Sequence, residues 1–240
     1  MRRLAALILL TACAPTQAVR DDALTYRNAA YTVVTLNPAQ EQLRLYWQDA
    51  QGQPYGTVAA LKAELTRRGE RLLFATNSGI YAPGFRPLGL HVEAGRTLVP
   101  LNRARSGGNF ALLPNGVFWL DGAQAGVMES RAFERSGRRP RYATQSGPLL
   151  VQHGRLHPEF RAGSQSLKLR SGVGVCAGGT VKFVLSEAPV NFHDFAVFFR
   201  DRLGCPDALY LDGSISTIYT PERGDRQLVG YAGIWAVTAR

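Results

Sequence analysis

The sequence predicts an α+β fold, a single domain with a large mixed β-sheet and a few packing helices. Three observations predict it. Short apolar runs bounded by Gly, Pro, Asn and Asp recur along most of the chain, as strands do. Two segments instead place apolar residues at helical spacing. The composition, 45% hydrophobic and 19% charged over 240 residues, suits one large domain with its own core.

The N-terminus reads as an export signal over residues 1–13. Arg2 and Arg3 precede the apolar run Leu4 to Leu10, which is too short to span a bilayer, and small residues follow. Leu10-Thr11-Ala12-Cys13 has the form of a bacterial lipoprotein signal, in which Cys13 would carry the lipid. The alternative is ordinary secretion with a cut near Ala14 or Ala18. Either reading sends the domain out of the cytoplasm: lipid-anchored at the periplasmic face of a membrane, or else periplasmic or secreted. Residues 14–28 read as a tether and 29–240 as the folded domain.

Tyr31 to Leu36 and Leu43 to Trp47 read as strands joined by a polar turn. Val58, Leu61 and Leu65 predict a helix that ends near Gly69. The next strand, Arg71 to Thr76, stops at Asn77-Ser78-Gly79. Short strands follow at Gly89 to Val92 and Thr97 to Leu101. Phe110 to Leu113 and Val117 to Leu120 flank Pro114-Asn115-Gly116, which predicts a hairpin. Ala132 to Arg135 reads as one helical turn, and Leu149 to Val151 as a strand after a Ser-Gly-Pro turn. Ser166 to Cys176 alternates like a strand, and Val181 to Leu185 is a buried one. Asn191 caps a helix whose apolar face is Phe192, Phe195, Ala196, Phe199 and Leu203, stopped by Gly204. Ala208 to Leu211 and Leu228 to Val237 supply the last strands.

The charge is +10, almost all of it arginine, since the lysines are only Lys62, Lys168 and Lys182. Arginine forks suit anions. A diffuse compositional background is the competing reading, because the charges are scattered and form neither a basic helix nor a nucleic-acid module. No nucleic acid and no obligate protein partner is expected. Gly107-Gly108 lacks the lysine of a phosphate loop, no Gly-x-Ser-x-Gly exists for a serine hydrolase, and no Cys/His cluster suits zinc. With Cys13 set aside, Cys176 and Cys205 either pair as a disulfide, as exported cysteines do, or remain two buried thiols.

Five stretches carry candidate chemistry. Asp212 ends an apolar run and is followed by Gly213, which presents a carboxylate at a flexible turn. Asn77 ends a strand in the same way, ahead of Gly79. Gln145, Ser146 and Gly147 are the polar turn before Pro148. Arg170 lies beside Ser171-Gly172 and reads as the anion-binding arginine. His193 and Asp194 open the Asn191-capped helix.

Taken in order, Asn77-Ser78-Gly79-Ile80-Tyr81, Gly108-Asn109-Phe110, Thr144-Gln145-Ser146-Gly147-Pro148-Leu149, Arg170-Ser171-Gly172-Val173-Gly174 and Leu211-Asp212-Gly213-Ser214-Ile215-Ser216 resemble the phosphodiester glycosidase domain family. The likeness spans the whole mature domain and is nearest to the family's bacterial branch, a domain of unknown function. The animal representative, the uncovering enzyme, removes N-acetylglucosamine from a phosphodiester-linked mannose. The resemblance implies a hydrolase of sugar-1-phosphodiesters with Asn77, Arg170, Asp212 and Ser216 lining the pocket, and Gly79, Asn109, Gln145, Ser146, Gly147 and Gly213 as further substrate contacts; His193 is a further candidate because a polar pair at a helix N-terminus can bind an anion. Much of the family has a second glycine where this chain has Ser214.

Such chemistry needs an acid or base at the anomeric carbon, for which Asp212 is the choice, and commonly a second carboxylate. Glu187, at a strand end, is the first candidate for that role, with Asp194 behind it. A divalent cation, Ca2+ or Mg2+, on Asp212 and Asn77 is the alternative way to fill it. Two other function classes stay open on the sequence: a non-catalytic binder of envelope glycans or glycolipids, and a metal-dependent phosphodiesterase that breaks the P–O bond.

Overall fold

Strand-forming runs dominate the chain, and in the computed structural model they pair into three principal sheets. The structure describes residues 19–104, 108–213, 215–227 and 229–240. The predicted export signal with Cys13, and Gly107, Ser214 and Leu228, lie outside the described residues.

The largest sheet has seven strands. In spatial order they are β1 (Asp21–Tyr26), β2 (Ala29–Leu36), β15 (Val181–Ser186), β14 (Ser171–Val175), β16 (Asp207–Asp212), β12 (Leu149–Gln152) and β13 (Arg155–Leu156). A five-stranded sheet runs β10 (Gln124–Glu129), β9 (Gly116–Asp121), β11 (Tyr142–Ser146), β7 (His91–Glu93), β8 (Arg96–Val99). A four-stranded sheet runs β17 (Ile218–Tyr219), β4 (Arg71–Asn77), β18 (Ile234–Ala239), β3 (Gln42–Tyr46). The short pair β5 (Tyr81–Ala82) and β6 (Arg86–Pro87) closes the loop after β4. Neighbouring strands pair antiparallel in all of them, as in β14 against β15 and β16. The domain is α+β, mostly sheet with few helices.

The main core lies where the three sheets meet. Phe74 of β4, Phe118 of β9, Phe183 of β15 and Trp235 of β18 are each at most 1% exposed and pack ring against ring, with Phe118 and Trp235 centroids 4.9 Å apart. The opposite face of the seven-stranded sheet is covered by α3 (Phe192–Val197) and the wider π-helical turn after it, Phe198–Arg202. The Asn191 side chain accepts from the Asp194 N–H and so caps α3. The helix α1 (Val58–Arg67) turns its buried Val58, Leu61 and Leu65 onto the four-stranded sheet, with Thr57 accepting from the Ala60 N–H. Burying those three side chains is worth roughly 1.5–3 kcal/mol each.

Cys176, just after β14, and Cys205, just before β16, form a disulfide. It joins two adjacent strands at the end remote from Ser171 and Asp212.

Four expectations are corrected. Residues 21–26 of the predicted tether form β1, because Asp21 to Tyr26 finds backbone partners along the edge of β2. Asn115 does not turn a hairpin: its buried amide donates to the Phe110 carbonyl and its oxygen accepts from Ser130 Oγ. Residues 109–111 are a 3-10 turn, and β9 pairs instead with β10 through Gly122-Ala123. The strands β2 and β3 are not a hairpin, since they enter different sheets. The strand predicted over Ser166 to Cys176 starts only at Ser171, since Ser166 to Arg170 loops over Val190.

Candidate active site

Three strand ends, two from the seven-stranded sheet and one from the four-stranded sheet, converge on one hydroxyl. Asn77 ends β4, Ser171 begins β14 and Asp212 ends β16. Ser171 Oγ lies 2.7 Å from Ser216 Oγ, 3.1 Å from the Asp212 carbonyl and 3.3 Å from Asn77 Oδ1. The end of β11 joins them: Ser146 Oγ donates to the Leu211 carbonyl at 2.9 Å, and Thr144 Oγ1 donates to the Ser78 carbonyl at 3.0 Å.

Asp212 is partly buried. Burial holds its carboxyl above the ordinary aspartate range, and the Gly213 N–H, which donates to Oδ1 at 2.6 Å, only partly offsets that. No cation contributes to the shift. Asn77 is 1% exposed and its Nδ2 has no hydrogen-bond partner among the described residues, a costly arrangement that a ligand oxygen would relieve.

Tyr210 shares the strand face of Asp212 two residues upstream. Burial and then Asp212 raise its phenol, while Arg170 and Asn109, which face the hydroxyl, pull the other way. Tyr81 also feels Asp212, after its own burial. Gly213 must be glycine at this crossing, because a Cβ there would stand 2.8 Å from the Tyr210 hydroxyl and 2.9 Å from the Leu169 carbonyl.

Arg170 is buried rather than presented to solvent. It is 1% exposed, donates from Nε to the Val190 carbonyl at 2.8 Å and from Nη2 to the Ser166 carbonyl at 2.9 Å, and packs 3.6 Å over the Phe192 ring. Burial lowers its pKa, and no carboxylate offsets this. The guanidinium therefore supplies positive potential through Tyr210 rather than wrapping a ligand.

Other predicted residues take different places. Ser216 sits in the Ser171 cluster, and Asn109 is exposed above Tyr210. Gln145 contacts no open space: Oε1 accepts from the Leu90 and Asn102 N–H groups, and Nε2 donates to the Asn102 carbonyl and Ser130 Oγ. Its saturated amide is a buried brace for residues 88–102. Gly79 (φ +148°) and Gly147 serve close packing, since a Cβ would meet Ser146 at 3.0 Å and Asn115 at 2.6 Å respectively.

Glu187 is not brought to Asp212. It accepts from Arg223 Nη2 at 2.8 Å and from Thr32 Oγ1, in a cluster that also pairs Arg223 with Asp21. At the start of α3, Asp194 meets both His193 and Arg27. For a cation, Asp212 would be the one carboxylate, and Asn77 Oδ1 already faces the Thr76 and Ser171 hydroxyls. Among the described residues no group of three or more His, Cys, Asp or Glu converges. Asp212 and Asn77 do not form an all-protein Ca2+ cage, and Mg2+ held by Asp212 would draw its remaining oxygens from water and a substrate phosphate.

Sequence reading missed Tyr210, Ser171 and Tyr81. Tyr210 was readable in principle: residues two apart on a strand share a face, so Tyr210 follows from Asp212.

The sequence profile of a family described as phosphodiester glycosidase matches residues 70–229, which contain Asn77, Ser171, Asp212 and Ser216. The chain belongs to the phosphodiester glycosidase family. A relative within reach by sequence, the uncharacterized protein YigE of Escherichia coli strain K12, is 40% identical over 202 residues, covering 84% of this chain and 77% of YigE. The catalytic domain of zebrafish N-acetylglucosamine-1-phosphodiester α-N-acetylglucosaminidase, auto-inhibited by its pro-peptide, superposes with a TM-score of 0.61 at 14% identity, over 92% of this chain and 82% of that one. A hypothetical protein from Synechocystis superposes with a TM-score of 0.55 at 16% identity, over 92% of this chain and 61% of that one. Those two structures share the fold of this phosphodiester glycosidase family member.

Proposed function

We propose that this chain hydrolyses the anomeric C–O bond of a sugar-1-phosphodiester, of the N-acetylglucosamine type, in the cell envelope, where Cys13 would anchor it through lipid. One observation carries the reading. Asp212 is a carboxylate with a raised pKa and no neutralising cation among the described residues, and the Ser171 hydroxyl ties its backbone carbonyl to the side-chain oxygen of Asn77, whose amide nitrogen has no partner among those residues. A polar, anionic substrate brings both an oxygen for Asn77 and a reacting carbon for Asp212. Family membership supports a hydrolase of this kind.

In this reading water attacks the anomeric carbon and gives its proton to Asp212. The C–O bond breaks, and its electron pair leaves with the phosphate monoester. That leaving group is good enough to depart without a strong general acid, which suits a site where the second carboxylate, Glu187, is held elsewhere. Arg170, through Tyr210, favours the charge that builds on phosphate.

The test is sugar release from N-acetylglucosamine-1-phosphodiesters by the wild-type chain and Asp212→Asn, with and without divalent cations. Release that depends on Asp212 supports the proposal, and no release from folded protein removes it. The absence of any acid acting on Asp212 favours a second reading, a glycan or glycolipid binder. Asp212→Asn would keep ligand affinity in that case, with no turnover in either protein.

A further inference from the structure

Five large apolar side chains stand exposed among the described residues: Phe85, Leu113, Leu167, Leu169 and Val229, each between 38% and 47% accessible. Single exposed hydrophobics are ordinary and need no explanation. Four of them, Phe85, Leu167, Leu169 and Val229, sit on segments that border the Asp212 site, and Leu113 is linked to it only through Asn109.

Leu167 follows Ser166, whose carbonyl takes the Arg170 Nη2 bond, and Leu169 precedes Arg170 and lays its carbonyl against Gly213. The Phe85 ring lies 5.7 Å from that of Tyr81, which feels Asp212, and it packs on Gly230, next to Val229. Leu113 ends the short segment whose Asn109 faces the Tyr210 hydroxyl. Exposed basic residues are interleaved with them: Arg86 follows Phe85, and Lys168 separates Leu167 from Leu169. Neither cation takes part in an ion pair among the described residues.

We infer that this apolar, basic-edged rim receives the alcohol half of the substrate, and that this half is a long alkyl chain, so that the substrate is a lipid-linked sugar phosphodiester. The inference rests on the reaction proposed above and adds its substrate class. The chemistry is amphiphilic: the polar floor of Asn77, Ser171, Ser216 and Asp212 takes sugar and phosphate, Arg86 and Lys168 attend the anion, and the leucines and Phe85 cover methylenes. A hydrophilic glycan aglycone would leave those side chains in water with nothing gained.

The test compares binding of methyl phosphate and octyl phosphate, both below micelle concentration, by titration calorimetry on the full chain. Neither probe carries a sugar, so turnover is not needed. The double variant Phe85→Ser/Leu169→Ser is measured beside wild type. Both positions are exposed, so the variant should fold, which its melting curve checks. Its unchanged N-terminal segment controls for alkyl binding there. Expected is at least tenfold tighter binding of octyl than of methyl phosphate to wild type, about 1.4 kcal/mol. In the variant the ratio should fall to within threefold.

Equal binding of the two probes to wild type would overturn the inference. So would a large ratio that survives in the variant, since the chain would then be held elsewhere. The two proposals fail separately. A chain-length ratio without any sugar release sinks the reaction and leaves the rim. Sugar release from short-chain diesters with no chain-length ratio sinks the rim and leaves the reaction.

Discussion

Reducing the Cys176–Cys205 disulfide should cost this fold several kilocalories per mole. The two cysteines are 29 residues apart in sequence, and the bond closes the loop that carries β15, α3 and the π-helical turn. Closing a loop of that length removes about 12 cal/mol/K from the unfolded chain, or about 3.6 kcal/mol at 25 °C. For a domain of this size each kilocalorie moves Tm by roughly 2–4 °C, so reduction should lower Tm by about 7–14 °C. The assay is thermal unfolding by circular dichroism with and without reductant, beside Cys176→Ala/Cys205→Ala. Thiol titration in denaturant should find two more reactive sulfurs after reduction. A Tm unchanged by reductant, with those thiols shown to be free, would refute the reasoning. The bond would then constrain a segment already ordered in the unfolded chain.

Asp212→Asn should reduce sugar release by roughly 10²–10⁴-fold, the usual worth of a general base, and should also stabilise the fold at neutral pH. The sign follows from its raised pKa: the folded state holds the proton more tightly, so the charged carboxylate costs stability above the folded pKa. The gain should vanish as pH falls below the unfolded value of 3.8, which urea melts across pH will read. Arg170→Met should weaken phosphodiester binding and also destabilise the protein, because the Val190 and Ser166 carbonyls lose donors worth about 1.5–3 kcal/mol each; relief of the buried charge offsets part of that. Glu187→Gln should lower stability by at most about 1 kcal/mol, as a partly exposed pair does, and leave kcat within threefold. Gly147→Ala should cost about 1–3 kcal/mol by forcing a methyl against Asn115, measured by denaturant midpoint.

The parts of the fold that the sequence displayed were those governed by local rules. Val58, Leu61 and Leu65 with a Thr57 cap marked α1, and Asn191 marked the start of α3, because caps and spacing are properties of neighbouring residues. The failures were tertiary. The β11 segment reads as a polar turn, yet Thr144, Gln145 and Ser146 are buried since each hydroxyl or amide meets a backbone carbonyl from a distant part of the chain. Asn115-Gly116 has the chemistry of a turn, but its amide is claimed by Phe110 and Ser130. At the site, a carboxylate after a strand was readable as Asp212. That Arg170 would be sealed under Phe192, and that Glu187 would be taken by Arg223, depended on residues 22 and 36 positions away in the chain, which no local pattern records.

The Ser171 hydroxyl has a consequence for how this protein could be assembled or divided. It touches Asn77 from one sheet and Asp212 from another, while Ser146 from the third ties down the strand that carries Asp212. The seven-stranded sheet carries Asp212, Ser171 and Tyr210 but not Asn77, so no sheet by itself contains the whole site. A fragment, a proteolytic nick between sheets or a chain caught midway through folding would be chemically silent rather than weakly active. The hydrolase would come on only when the last sheet docks, so the appearance of activity during refolding would time the joining of the sheets and not the formation of any one of them.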